Sequence, residues 1–386
     1  MHHPQFTPLS AARNSLYGRA MSTDLQIFLV SPPGLEPLLA DEAREKRFRG
    51  IESVPGGVNI SGGWPEVWRA NLQLRGAARV LVRIAEFRAM HLAQLDKRSR
   101  KVAWADVLRV DVPVKVEATC RKSKIYHAKA ATQRVETAIR EDLGAVISTE
   151  ASLVVKVRIE DDLVTISLDT SGEPLHRRGH KQAVGKAPMR ENLAALFLRQ
   201  MGFDGTQTVV DPMCGSGTFP IEAAEIAAGL FPGRSRSFAF ETLASFDPAA
   251  WEALKSAKGK TPSARFFGSD RDQGAIGMAN KNAERSGVAG YCSFERKPIS
   301  DLTPPDGPPG IVIVNPPWGA RIGERKLLFA LYGAMGKTLA DGFRGWKIGI
   351  ISSDAGLIKA AGMGLAPSGA PVDMGGVKLT LYQTSL

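Results

Sequence analysis

The chain is 386 residues long and 44% hydrophobic, enough to bury two or three cores. No run of about 18 apolar residues occurs, which excludes a membrane-spanning helix, and the three cysteines, Cys120, Cys214 and Cys292, are too scattered for a disulfide framework or a Cys-x-x-Cys metal site. The net charge of +11 is uneven, since residues 1–190 hold 30 lysines and arginines against 21 acids while residues 191–386 hold 20 against 18. The front half is therefore where a polyanion would bind.

Residues 1–21 read as a flexible extension: Met1 to Ala20 carries Arg13 and Arg19 without acids and lacks the apolar stretch of a signal peptide. A reduced, cytoplasmic, monomeric protein without metal or membrane partner is expected. Residues 22–88 follow a strand, helix, strand, strand, helix, strand order, starting at Leu25 to Val30 and ending with an alternating run from Ala78 to Phe87. A ferredoxin-like α+β unit fits that order. Residues 89–172 form a second α+β unit, with a half-buried strand at Pro113 to Thr119, a helix from Ala128 to Leu143, and a hairpin turning at Glu160-Asp161-Asp162.

Two basic clusters mark this second unit. Lys97, Arg98, Arg100 and Lys101 form one, and Arg121, Lys122 and Lys124 form the other, beside Tyr126 and His127. Cations interleaved with stacking groups suit RNA. A connector, residues 173–190, adds Arg177 and Arg178 to the candidate RNA-binding residues. From 191 to 386 strands and helices alternate as in a doubly wound sheet, with an insertion near Gly229 to Pro262 expected beside the site.

Two segments of this last region carry chemistry. Asp211, Pro212, Met213, Cys214, Gly215, Ser216, Gly217 and Thr218 follow the β-branched run Thr208 to Val210 and open a helix. Gly215 and Gly217 leave room for a nucleoside cofactor, S-adenosylmethionine, and Asp211 is placed to accept from its ammonium. The third glycine of a dinucleotide fingerprint is absent, since Pro220 stands there, and so is the Gly-Lys-Ser/Thr of a phosphate loop. Asp270 closes the next strand, where an acid bridges ribose hydroxyls; Asp272 competes for that role, and helix capping competes for both. Asn315, Pro316, Pro317 and Trp318 follow Ile311 to Val314. The Asn315 side-chain oxygen and the Pro316 carbonyl can draw the hydrogens of a flat amine out of plane, two prolines stiffen the backbone, and Trp318 offers a stacking face.

Taken with Leu175-His-Arg-Arg-Gly179, Ala187-Pro-Met-Arg-Glu-Asn-Leu-Ala194 and Gly268-Ser-Asp270, these strings resemble the THUMP-domain class I RNA methyltransferases of the RlmL type. The likeness covers Asp24 to Leu386. It implies a Rossmann-like class I methyltransferase domain at 191–386, preceded by the ferredoxin-like domain at 22–88 and a THUMP RNA-binding domain at 89–172. It also implies transfer of a methyl group to guanine N2 in 23S ribosomal RNA, with Asn315 to Trp318 as catalytic residues. The chain departs from the family at Pro298, where an acid is usual; Asp301, three residues later, is the candidate cofactor-binding acid of that region, and which acid contacts the adenine stays open. It departs again at Trp318, usually Tyr, and at Ala320, usually an acid. Transfer RNA as substrate, DNA adenine-N6 or protein glutamine methylation, and a non-catalytic assembly factor stay open as alternatives.

Overall fold

The computed structural model describes residues 24–180, 189–256, 259–317 and 325–386. The expected flexible extension, part of the connector, and Trp318 with Ala320 lie outside these residues. Two seven-stranded sheets organise the rest. The first comprises β1 (Leu25–Val30), β2 (Arg49–Val54), β3 (Gly57–Gly62), β4 (Arg79–Arg88), β5 (Val114–Arg121), β6 (Leu153–Glu160) and β7 (Leu163–Asp169). Their spatial order is β2-β3-β1-β4-β7-β6-β5.

The helices Glu36–Glu45 and Trp64–Gln73 intervene where expected, each with proline in its first turn, where a missing N–H costs nothing. β4 exposes a strand edge, and β7 pairs with it antiparallel from Leu81↔Asp169 to Arg88↔Leu163. The stretches before and after residue 88 are therefore one continuous sheet. The helix Ala128–Leu143 buries Ala131, Val135, Ala138 and Ile139 at helical spacing and stops at Gly144, whose left-handed φ of 78° favours a residue without Cβ. It crosses between the parallel strands β5 and β6. β6 and β7 join through Asp161 and Asp162, both at positive φ, as a two-residue hairpin matching the strand twist requires.

The second sheet comprises β8 (Val209–Asp211), β9 (Phe266–Asp270), β10 (Cys292–Arg296), β11 (Ile311–Val314), β12 (Lys347–Ser352), β13 (Ala366–Met374) and β14 (Val377–Ser385). Their order is β10-β9-β8-β11-β12-β14-β13, parallel through β12 and antiparallel beyond it. Short apolar strands suit a sheet covered on both faces. β11 sends Ile311 and Ile313 into a core shared with the first sheet, and Val312 and Val314 into a second core under the helices Arg325–Gly342 and Ala355–Ala360.

The insertion sits elsewhere than expected. Its aromatic residues wedge against the front unit, with Phe240 and Phe246 packed on Trp68, and its backbone bonds to Leu72 and Thr170 from Gly233 and Phe240. Burial of those rings, not proximity to the glycine loop, fixes its position. Among the described residues, no helix is long and apolar enough to cross a membrane, and no group of three His, Cys, Asp or Glu side chains is placed to hold a metal.

Candidate active site

β8 and β11 are neighbours whose chains leave in opposite directions, β8 toward β9 and β11 toward β12. Such a reversal opens a crevice beyond the strand ends. Val209 pairs with Ile311 and Val210 with Val312, so the loop after Asp211 and the turn at Asn315 leave the same edge side by side. The two segments expected to carry the chemistry are thus brought together by strand register. Asn315 is half-buried, Pro316 buried and Pro317 exposed.

The glycine loop is held by its own backbone and by β9. Cys214 N–H donates to the Ser269 carbonyl at 2.9 Å, Gly217 N–H to the Cys214 carbonyl at 2.8 Å, and Gly215 N–H to Asp270 Oδ2 at 3.1 Å. Gly215 and Gly217 have φ of +52° and +84°. A Cβ built on Gly215 would meet nothing within 4 Å, whereas one on Gly217 would lie 3.0 to 3.1 Å from Phe294, Ala279 and Ile221. One glycine therefore faces open space and the other faces the core. The helix Thr218–Ala227 begins directly after the loop with no side-chain cap at Gly217.

The acids separate by geometry. Asp272 is the N-cap of the helix Gln273–Ser286, accepting from Gly274 N–H at 2.8 Å. Asp270 accepts from the loop at Gly215 and, through Oδ1, from Asp272 N–H at 3.0 Å, which leaves each oxygen with further capacity to accept. Asp211 is 3% exposed and accepts from Met213 N–H at 3.1 Å. Burial pushes its carboxyl up to about 8, the Met213 bond works against that, and the Asp270 charge adds to it. Two carboxyl groups around one glycine loop create a place that a cation would relieve. Asp301 is exposed on a 3-10 turn, Ile299–Asp301, after β10, and accepts from Ser300 Oγ at 2.8 Å.

Sequence reasoning missed the support beneath the loop. Asn282, fully buried on the helix Gln273–Ser286, donates from Nδ2 to the Ser216 carbonyl at 3.1 Å. His180, Glu191, Ser216, Thr218, Ile221, Glu222 and Asn282 line a small cavity there. A lone asparagine on a helix gives no signal in a sequence.

The basic residues divide. Lys97, Lys101, Arg121, Lys122 and Lys124 are exposed, and each cluster touches the segment from Arg88 to Met90 at one end of β4. Arg98 donates to the Arg88 carbonyl, and Lys124 Nζ lies 3.8 Å from Met90 Sδ. Tyr126 is 72% exposed, its ring centroid 4.2 Å from that of His127. Arg100 is committed to Asp96 and Glu141 at 3.1 and 2.6 Å. Arg177 is exposed and paired with Glu173. Arg178 corrects the sequence expectation, because it is 1% exposed and bonds to Glu222, the Leu175 carbonyl and the Arg75 carbonyl. A guanidinium enclosed in that way cannot reach a phosphate.

A family described as RMKL-like, methyltransferase domain, matches residues 178–381, and one described as RlmL ferredoxin-like domain matches residues 26–81. The Ribosomal RNA large subunit methyltransferase K/L of Syntrophotalea carbinolica is 34% identical over 364 residues, 89% of this chain and 51% of that protein. The chain thus spans about half the length of the curated relatives it matches. Among solved structures, one described as a possible methylase from Clostridium difficile 630 shares 28% identity at a TM-score of 0.86, over 94% of this chain and 98% of that one. SMU.472, solved in complex with SAH, shares 25% identity at a TM-score of 0.86, over 95% of this chain and 99% of that one. On the strength of the match across more than half its length, the chain belongs to the RMKL-like methyltransferase domain family.

Proposed function

We propose that this chain transfers a methyl group from S-adenosylmethionine to the N2 amine of guanine in structured RNA, with 23S ribosomal RNA as the substrate and the cytoplasm as the compartment. The observation that carries the reading is the placement of the glycine loop and the Asn315 turn side by side at the reversal point of one sheet. The space beside Gly215 fits a ligand laid against the loop, and Asp211 with Asp270 fits one that bears positive charge. SMU.472 at 25% identity was solved with SAH, and the S. carbinolica relative is named for ribosomal RNA methylation, which supports both the cofactor and the substrate class.

The cofactor supplies an already activated methyl group, so no general base is needed before transfer. The loop amides and Asp270 would hold and orient it, and Asp211 would accept from its ammonium. The Asn315 side-chain oxygen and the Pro316 carbonyl would accept the two amine hydrogens and so free the nitrogen lone pair to receive the methyl group, with one of those hydrogens lost to solvent as a proton once the transfer is made. Orientation of the reacting atoms carries the rate. Trp318 stacks the base. Residues 89–172 act as a THUMP domain, with Lys97, Arg98, Lys101, Arg121, Lys122 and Lys124 on phosphates and Tyr126 on an unpaired base.

Tritium transfer from labelled cofactor into ribosomal RNA, transfer RNA, DNA and protein, followed by nucleoside analysis, tests the reading. N2-methylguanosine in ribosomal RNA is expected. N6-methyladenosine would overturn the base assignment, and label confined to DNA or protein would overturn the substrate class.

A further inference from the structure

The helix Thr218–Ala227, which follows the glycine loop, buries two carboxylates, Glu222 at 2% exposure and Glu225 at 0%. Its own sequence offers no cation to answer them. The counterions come from three other parts of the chain. Arg75, in the turn before β4, donates from Nη1 to Glu222 Oε1 at 2.7 Å and to Glu225 Oε2 at 3.3 Å. Arg178 of the connector donates from Nη2 to Glu222 Oε1 at 3.2 Å. Arg234 of the insertion donates to Glu225 Oε1 at 2.7 Å, and His180 Nε2 lies 3.4 Å from the same oxygen.

The grip is anchored at its far side as well. Arg178 donates to the Leu175 and Arg75 carbonyls, each at 2.9 Å. The backbone N–H groups of Arg75 and Gly76 donate to the Glu42 carboxylate at 2.7 and 2.9 Å. A buried carboxylate cannot drift from such partners without exposing an uncompensated charge, so the cluster has one low-energy arrangement. Glu222 lies just over one helical turn past Gly217, whose carbonyl accepts from Ile221 N–H at 3.0 Å. Glu222 and His180 also share a cavity wall with Ser216 and Thr218 of the loop. Whatever sets Glu222 therefore sets the loop.

We infer that Arg178 and Arg75 are positioning residues for the cofactor site: by holding Glu222 they fix the helix Thr218–Ala227, and with it the amides of Gly215 and Gly217, so that the front unit forms part of the cofactor-binding machinery. This rests on the reading of the loop as the S-adenosylmethionine site. The rival is an ordinary staple between units that affects stability alone.

The full-length chain separates the two. Calorimetric binding of SAH and binding of ribosomal RNA fragments are measured for the unaltered chain and for Glu222→Gln, Arg178→Met, Arg178→Lys and the Glu222→Gln/Arg178→Met pair, with circular dichroism as the check on folding. Small displacements of positioning groups cost up to about 100-fold, so SAH affinity should fall about tenfold or more in Glu222→Gln and Arg178→Met. RNA affinity should stay within about twofold, Arg178→Lys should recover part of the loss, and the pair should be little worse than either single change. Folded variants that bind SAH as the unaltered chain does would overturn the inference. So would variants that lose SAH, RNA and folded structure together. If Arg178→Met does not fold, Glu222→Gln decides by the same criteria, and its own failure to fold counts for the staple. Absence of SAH binding by the unaltered chain would instead sink the cofactor reading, and the positioning role with it.

Discussion

Gly215 and Gly217 stand two residues apart in the same loop, both at positive φ, yet a side chain at each should fail for a different reason. An L-residue in that region costs about 1 to 2 kcal/mol. At Gly215 this is the whole cost to stability, because an added Cβ meets nothing within 4 Å. At Gly217 the Cβ presses on Phe294, Ala279 and Ile221 at 3.0 to 3.1 Å, which adds overpacking of about 1 to 3 kcal/mol. Gly217→Ala should therefore be less stable in urea unfolding than Gly215→Ala. Gly215→Val should place its methyl groups where the cofactor lies and weaken SAH binding about 100-fold, near 2.7 kcal/mol, while the protein still folds. Calorimetry on the folded variants reads this directly. Unchanged SAH affinity in Gly215→Val would refute the placement of the ligand, and equal stability of the two alanine variants would refute the assignment of core and ligand sides.

Asp211 sets a pH dependence. Its folded value, about 8, lies above the ordinary carboxylate value of 3.8, so its contribution to stability is fully present below about pH 4 and lost as pH rises to about 8. Asp211→Asn should flatten that part of the stability curve, and proton release on SAH binding near pH 7, seen as a buffer-dependent calorimetric heat, should vanish with it. Replacing Lys97, Arg98 and Lys101, or Arg121, Lys122 and Lys124, with glutamate should weaken RNA binding and reduce its salt slope by about 0.7 to 0.9 per lost phosphate contact, measured by filter binding. Arg100→Glu should instead lower the melting temperature, since it breaks pairs with Asp96 and Glu141. Asn315→Ala should reduce single-turnover methylation on the order of 100-fold with little change in SAH affinity, and Trp318→Ala should weaken RNA substrate binding by about 1 to 3 kcal/mol; full activity of Asn315→Ala would refute the mechanism.

Local signals carried much of the architecture. The periodicity of Ala131, Val135, Ala138 and Ile139 marked the helix Ala128–Leu143. The β-branched runs before Asp211 and Asn315 marked strands whose ends carry the candidate site. β10 escaped because Cys292 to Arg296 is a five-residue edge strand in which only Cys292 and Phe294 alternate with exposed polar residues, too short a signal to stand out. β13 was hidden by Pro367, Gly369 and Pro371, which read as turn residues and are tolerated on an edge with a bulge. Arg178 misled because a basic string reads as surface, and only the fold reveals the buried carboxylates that answer it. The insertion misled for the same reason, since its aromatic residues find their partners on Trp68 and not in the nearby sequence.

The pairing of β4 with β7 has a consequence for how the front sheet assembles. Ala85 meets Ile166 although they are roughly 80 residues apart in the chain, so closing that contact costs about 4 kcal/mol of loop entropy. Everything between them is an excursion that returns to the edge it left. The local hairpin of β6 with β7 and the β5–β6 unit bridged by its helix shorten the loop once formed, so they should condense before β7 docks on β4. Refolding should then show hydrogen-exchange protection at Val155 and Val157 ahead of Val80 and Val82, with the central junction of the sheet the last part to close.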